Sequence, residues 1–217
     1  MGFLYTWDAA TAGKGGVNGR GNIYRLDAAN TNTNDESNWS YLPAQLADPT
    51  IPFPGNGGQG NYEWRIQGIC PAGWHLPSDY EWTELENVII KNTTDYAYVG
   101  QNISLDGMSN ILDGTETGPR GWTLGQAMKE VCGVTATGGP TNGLSYSITQ
   151  NGFNVLLAGA GNSGSVGEID RTAQFWSSSS GGGNLAWYRA LTDVDATVIK
   201  LNARNRGFLS SIRCKKD

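Results

Sequence analysis

Residues 70–86 read CPAGWHLPSDYEWTELE, and they bring together a cysteine, a tight Pro-Ala-Gly turn, the chain's one histidine and a helix start. Ser78 followed three residues later by Glu81 is the capping-box pattern, in which each side chain satisfies the other residue's backbone N–H. Beyond the cap, Trp82, Leu85, Val88 and Ile89 fall on one helical face, while Glu81, Glu84 and Lys91 fall off it. The spacing predicts a turn feeding a helix of about three turns over residues 79 to 91 onto a core.

Outward from this stretch the chain is less regular. Phe3 to Trp7 alternates and is aromatic-rich, which predicts an opening strand, with a short helix beginning near Asp8. Residues 28–61 are dense in Asn, Thr, Pro and Gly and predict an extended loop. Tyr62 to Gly68 reads as a short strand into Cys70, and residues 92–121 as a second irregular stretch. Leu124, Ala127, Met128 and Val131 form a helical stripe. After Gly138-Gly139-Pro140, Gly152 to Leu157 opens a β-rich C-terminal part. Four strands are expected there, at Phe175–Ser178, Ala186–Leu191, Ala196–Leu201 and Phe208–Arg213, close enough in sequence to pair as an antiparallel meander. Two short helices, a small antiparallel sheet and long irregular loops make an α+β chain.

Composition bounds what such a chain does. At 217 residues it is long enough for one generous domain with a real core, and 38% hydrophobic with 16% charged residues fits a soluble protein. Thirty-one glycines beside eight tryptophans and nine tyrosines suggest many turns held by aromatic anchors. A formal charge of -5 argues against nucleic acid as a partner, because phosphate binding draws on clustered Lys and Arg. No apolar run is long enough for a membrane span. Met1-Gly2-Phe3 lacks the basic start and apolar core of a secretory signal, so Met1 is either a natural start or one replacing a removed leader. Three cysteines allow one internal bond and one thiol. A Cys70–Cys214 bond would close a very long loop, contributing roughly 4–5 kcal/mol in the chain-entropy model. Cys132 reads as a small buried hydrophobe. Three reduced cytosolic thiols are the alternative.

Catalytic and metal-binding patterns are thin. His75, between Trp74 and Leu76, would have to serve any Ser-His-Asp or Cys-His mechanism, and its setting reads as a packed structural histidine. The pairs Asp193/Asp195 and Glu168/Asp170 have the chemistry to bind calcium or hydrolyse a glycoside, yet acids so spaced in a turn or strand are ordinarily solvated. No set of zinc ligands is apparent. The glycines at 159, 161 and 181–183 precede no Lys-Ser/Thr and read as turns rather than phosphate loops. No catalytic residue, metal ligand or cofactor is therefore expected, with a structural calcium ion the one metal left open.

Several phrases in order carry a resemblance. FLYTWDAAT, CPAGWHLPSDYEWTELE, LGQAMKE, NGFNVLLAG, FWSSSS, AWYRAL and GFLSSIRC together resemble the Fibrobacter succinogenes major paralogous domain, a bacterial surface-protein module, from one end of the chain to the other. Residues 28–61 and 92–121 look like insertions in a single domain spanning 1–217. The resemblance implies a C-type lectin-like fold, a bond between Cys70 and Cys214, an exported setting and membership of a larger surface assembly. The chain lacks the Glu-Pro-Asn and Trp-Asn-Asp signatures of calcium-dependent lectins, so calcium-mediated sugar binding does not carry over. Residues 186–206 are also similar to the variable region of retroelement-diversified receptor-binding proteins, some of them carried on phage particles. The fold further hosts formylglycine-generating oxidases, whose reactive cysteines a Cys70–Cys214 bond would leave unmatched.

What remains is the C-terminal sheet surface. Trp187, Tyr188, Arg189, Asn202, Arg204, Asn205 and Arg206 combine rings with hydrogen-bonding amides and guanidinium groups, residue types enriched at binding hot spots. Strand alternation places Trp187 and Arg189 on one side and Tyr188 on the other. The expectation is a non-catalytic adhesion or binding module, at the cell surface or outside the cell, that recognises a glycan or a protein through these residues. The rival class is an enzyme, either carbohydrate-active or of the formylglycine-generating type.

Overall fold

A computed structural model of the chain describes residues 3–12, 66–98, 117–121, 123–131, 143–162, 165–180 and 184–217, excluding the side chains at 80, 180, 202 and 203. The expected loop at 28–61, residues 62–65 and Cys132 lie outside the described residues. The helix that the capping box predicts is α2, Asp79–Lys91, which follows the short α1, Trp7–Ala10, and the two-residue strand β1, Trp74–His75. Both halves of the box form. Ser78 Oγ accepts from the Glu81 N–H at 3.2 Å, and the Ser78 N–H donates to Glu81 Oε2 at 2.9 Å. Such a cap stabilises a helix start by about 1 kcal/mol.

Four antiparallel strands make the main sheet, in the order β2 (Gly118–Arg120), β7 (Val198–Asn205), β6 (Leu185–Thr192) and β5 (Thr172–Ser180). Three of the expected strands are present, but the fourth is not where the meander places it. Phe208–Arg213 makes only single bridges, Leu209 to Gly161, Ser210 to Tyr5 and Ser211 to Phe175. The fourth position belongs to Gly118–Arg120, inside the stretch expected to be irregular, which also holds helix α3, Thr93–Tyr96. Gly-Pro-Arg carries no alternation, and Pro119 is tolerated because β2 is an edge strand. The opening strand is likewise reduced to one bridge at Tyr5, because Thr6 caps α1 and turns the chain into a helix at Trp7. Residues 66–68 are not a strand.

Each face of the sheet carries its own core. Against one lie Trp82 and Ile89 of α2, Leu124 and Met128 of helix α4 (Leu124–Met128), Val155, Phe175 and Leu191. The helical stripe stops at Met128, since Lys129 leaves the helix to bridge Val155, and Val131 is exposed. Against the other face lie Trp7, Leu76, Trp176, Tyr188 and the Cys70–Cys214 disulfide, whose Cα atoms are 5.8 Å apart. The bond ties the turn before α2 to the chain end, where strand β8, Lys215–Lys216, pairs with β1. A small hairpin of β3 (Ala160–Asn162) and β4 (Ser165–Gly167) completes the described strands. The architecture is α+β with several antiparallel sheets, and it has more short helices than the two expected. No helix among the described residues is long and apolar enough to cross a membrane.

Candidate functional site

The predicted surface set is divided by the sheet itself. Arg189 faces α2 and Tyr188 faces the opposite core, while the Trp187 ring centroid lies 4.4 Å from Lys200 Nζ, which is itself paired with Asp79 of α2. Both faces are covered at this point, so all three residues are buried. Arg206 is also buried; its Nε donates to the Leu185 carbonyl at 3.2 Å and its guanidinium carbon lies 4.2 Å from the Trp7 ring, which fastens α1. Asn205 is exposed, but its Oδ1 accepts from the Gly207 N–H at 2.9 Å and shapes the turn after β7. The Asn202 side chain lies outside the described residues.

Arg189 instead organises a buried ion network. It donates to Asp79 and Glu86 of α2, while Lys200 Nζ sits 2.6 Å from Asp79 Oδ2 and Arg120 Nε 2.9 Å from Glu86 Oε2. All five side chains are within 1% of full burial. Burial pushes the Asp79 carboxyl up, but Arg189 and Lys200 beside it bring it below the usual range. Burial lowers Lys200, which Asp79 only partly offsets. Such a network fixes the helix on the sheet in one register, because breaking one pair leaves an unpaired charge inside.

Arg204 is the member of the predicted set that lines a cleft. The β3–β4 hairpin is pressed onto the sheet: the Gly159 N–H donates to the Thr172 carbonyl at 2.8 Å, and Gly161 and Leu209 exchange backbone hydrogen bonds at 2.9 and 2.8 Å. Gly159 has φ +87°, and a Cβ there would lie 2.6 Å from the Gly167 carbonyl oxygen, so only glycine permits this approach. Between the hairpin and the sheet is a 370 Å³ cleft lined by Asn162, Ser165, Glu168, Gln174, Arg204 and Phe208, among others. The Arg204 guanidinium carbon lies 4.2 Å from the Phe208 ring centroid and 5.5 Å from that of Tyr188. Gln174 Oε1 and Arg204 Nε, both buried, have no hydrogen-bond partner among the described residues. Burial raises the Tyr188 hydroxyl, with Arg204 opposing, which keeps it a neutral hydrogen-bonding group.

Gln174 and Phe208 were not singled out by sequence. The signal for Gln174 is parity: it shares the inward side of β5 with Trp176, where a polar side chain stands out. Phe208 carries no such mark. Of the acidic pairs, Glu168 borders this cleft, whereas Asp195 Oδ1 accepts from Thr197 and Asp193 lies 3.5 Å from Arg171. No group of three potential metal ligands occurs among the described residues. His75 does not line the cleft; it lies 2.9 Å from Glu81 Oε1 and 2.6 Å from Asp217 Oδ1, where it braces the chain end against the helix cap.

A family model described as the Fibrobacter succinogenes major domain matches residues 1–216. The chain belongs to that family. The matched stretch includes the capped α2 and the Cys70–Cys214 bond of this chain. Neither the curated proteins nor the solved structures contain a match to the chain.

Proposed function

We propose that this domain is a non-catalytic, exported module with a C-type lectin-like fold that binds a glycan in the cleft between the β3–β4 hairpin and the sheet. The observation that carries the reading is the cleft itself, whose lining joins the Phe208 ring to the side chains of Arg204, Gln174, Asn162 and Glu168. The amide of Gln174 and the guanidinium of Arg204 supply acceptor and donor groups to a sugar hydroxyl, which both donates and accepts. The amide of Asn162, the hydroxyl of Ser165 and the carboxylate of Glu168 extend that set, and Phe208 offers an apolar surface to ring C–H groups. A volume of 370 Å³ lies within the range of small-ligand sites and suits one or two sugar units. The disulfide supports an extracellular or cell-surface setting, since such bonds persist in oxidising compartments.

Glycan-array screening followed by calorimetry on the hit tests the reading, with Gln174→Ala, Arg204→Ala and Phe208→Ala as variants. Each should weaken binding at least tenfold while the fold is retained. Binding that survives all three, or a glycan array without a hit, overturns it.

A further inference from the structure

One edge of α2 borders a second cleft, which shares no lining residue with the first. Trp82, Leu85 and Val88 lie along one side of it, and Phe153 and the chain around Cys214 along the other. At 460 Å³ it is larger than the glycan cleft, and Val88, expected in the core by its helical spacing, is 42% exposed at its mouth.

The charges around this cleft are unequally matched. Its carboxylates are paired: Glu81 lies 2.9 Å from His75 Nε2 and 3.0 Å from Lys215 Nζ, and Glu84 lies 3.6 Å from the same ammonium. Arg213 has no carboxylate partner among the described residues. Its guanidinium donates to the Phe153 carbonyl at 2.9 Å and lies 4.5 Å from the Phe153 ring, and burial alone lowers its pKa. Trp82, only 1% exposed, also has an indole N–H without an acceptor among the described residues. The walls therefore hold apolar surface and one guanidinium with no carboxylate partner among the described residues.

We propose that this cleft binds a small amphipathic carboxylate, with the apolar body against Trp82, Leu85 and Val88 and the carboxylate on Arg213. A guanidinium takes a carboxylate through two parallel hydrogen bonds, which a neutral head group does not reproduce. The site is independent of the glycan cleft, because no residue is shared between them.

Calorimetric titration with sodium decanoate and with decan-1-ol is the test, using the full chain. Decanoate should bind at least tenfold more tightly than the alcohol. Arg213→Gln should abolish that preference. Val88→Glu, at an exposed position that leaves the core untouched, should weaken decanoate at least tenfold by placing a like charge at the mouth. Gln174→Ala should leave decanoate binding unchanged. Equal affinity for acid and alcohol, absence of saturable binding, or indifference to Val88→Glu overturns the proposal. So does concentration-dependent dimerisation that Val88→Glu abolishes without any decanoate binding, which would assign the face to a second copy of the chain.

Discussion

Arg189 Nε donates to Glu86 Oε1 across 103 residues of sequence, and both side chains are fully buried. A guanidinium from the middle of β6 thus closes on a carboxylate from the middle of α2. The same arginine looked like a ligand contact when read along the strand. Its pairing makes it the clamp between helix and sheet. Burial would lower its pKa, yet Asp79 and Glu86 outweigh that and raise it, so it stays charged at every accessible pH.

Removing that clamp should be costly. Arg189→Met leaves Asp79 and Glu86 with fewer cationic partners inside the protein, and the expected loss is about 3–5 kcal/mol in urea unfolding. A loss under about 1 kcal/mol would show that the network is hydrated and contributes little.

The acid limb of stability should report Glu81. Burial raises its carboxyl, but the hydrogen bond from His75 and the charge of Lys215 bring it down from 4.5 to about 2. The folded value lies below the unfolded one, so the unfolded chain takes up the proton first. The stabilisation is complete above about pH 4.5 and is lost as pH falls towards 2, amounting to on the order of 3 kcal/mol. Glu81→Gln should flatten the stability profile in that window and leave its shape above pH 5 unchanged.

Cys214→Ser opens the loop that Cys70 closes. Unfolding free energy should drop by about 2–5 kcal/mol, and thiol titration of the denatured protein should rise from one group to two. A reducing agent should lower the wild-type unfolding midpoint and leave the variant's unchanged.

Gly68→Ala tests a close backbone approach. Gly68 has φ +57°, and a Cβ there would lie 2.0 Å from the Ala10 carbonyl oxygen. The left-handed backbone alone costs an alanine about 1–3 kcal/mol, and the overlap adds to it. The melting temperature should fall by several degrees, and an unchanged value would mean that α1 shifts freely.

Gln174→Leu separates function from stability. Its buried Oε1 has no partner among the described residues, so replacing the amide with an apolar side chain of similar size should be neutral or stabilising by about 1 kcal/mol. Glycan binding should nevertheless be lost. A destabilised variant would show that the amide is satisfied within the fold.

The residues of Cys70–Glu86 determined a good deal by themselves. A capping box is local chemistry, complete within four residues, and the apolar stripe of α2 needs only a 3.6-residue period, so both were legible without a partner. The strands of Phe175 and Trp187 showed as short runs of strand-forming residues between glycine turns. Tertiary structure decided what local pattern does not encode. Gly118-Pro119-Arg120 becomes a strand only because β7 offers it an edge. Val88 falls on the apolar face yet is left wet, because nothing described covers that side of α2. Arg189 and Arg204 are both arginines on neighbouring strands, and sequence ranks them alike. One meets Glu86 and Asp79 in the core, and the other meets Phe208 at a cleft. Burial and charge pairing are properties of the neighbours that folding assembles from distant parts of the chain, and a strand read alone does not contain them.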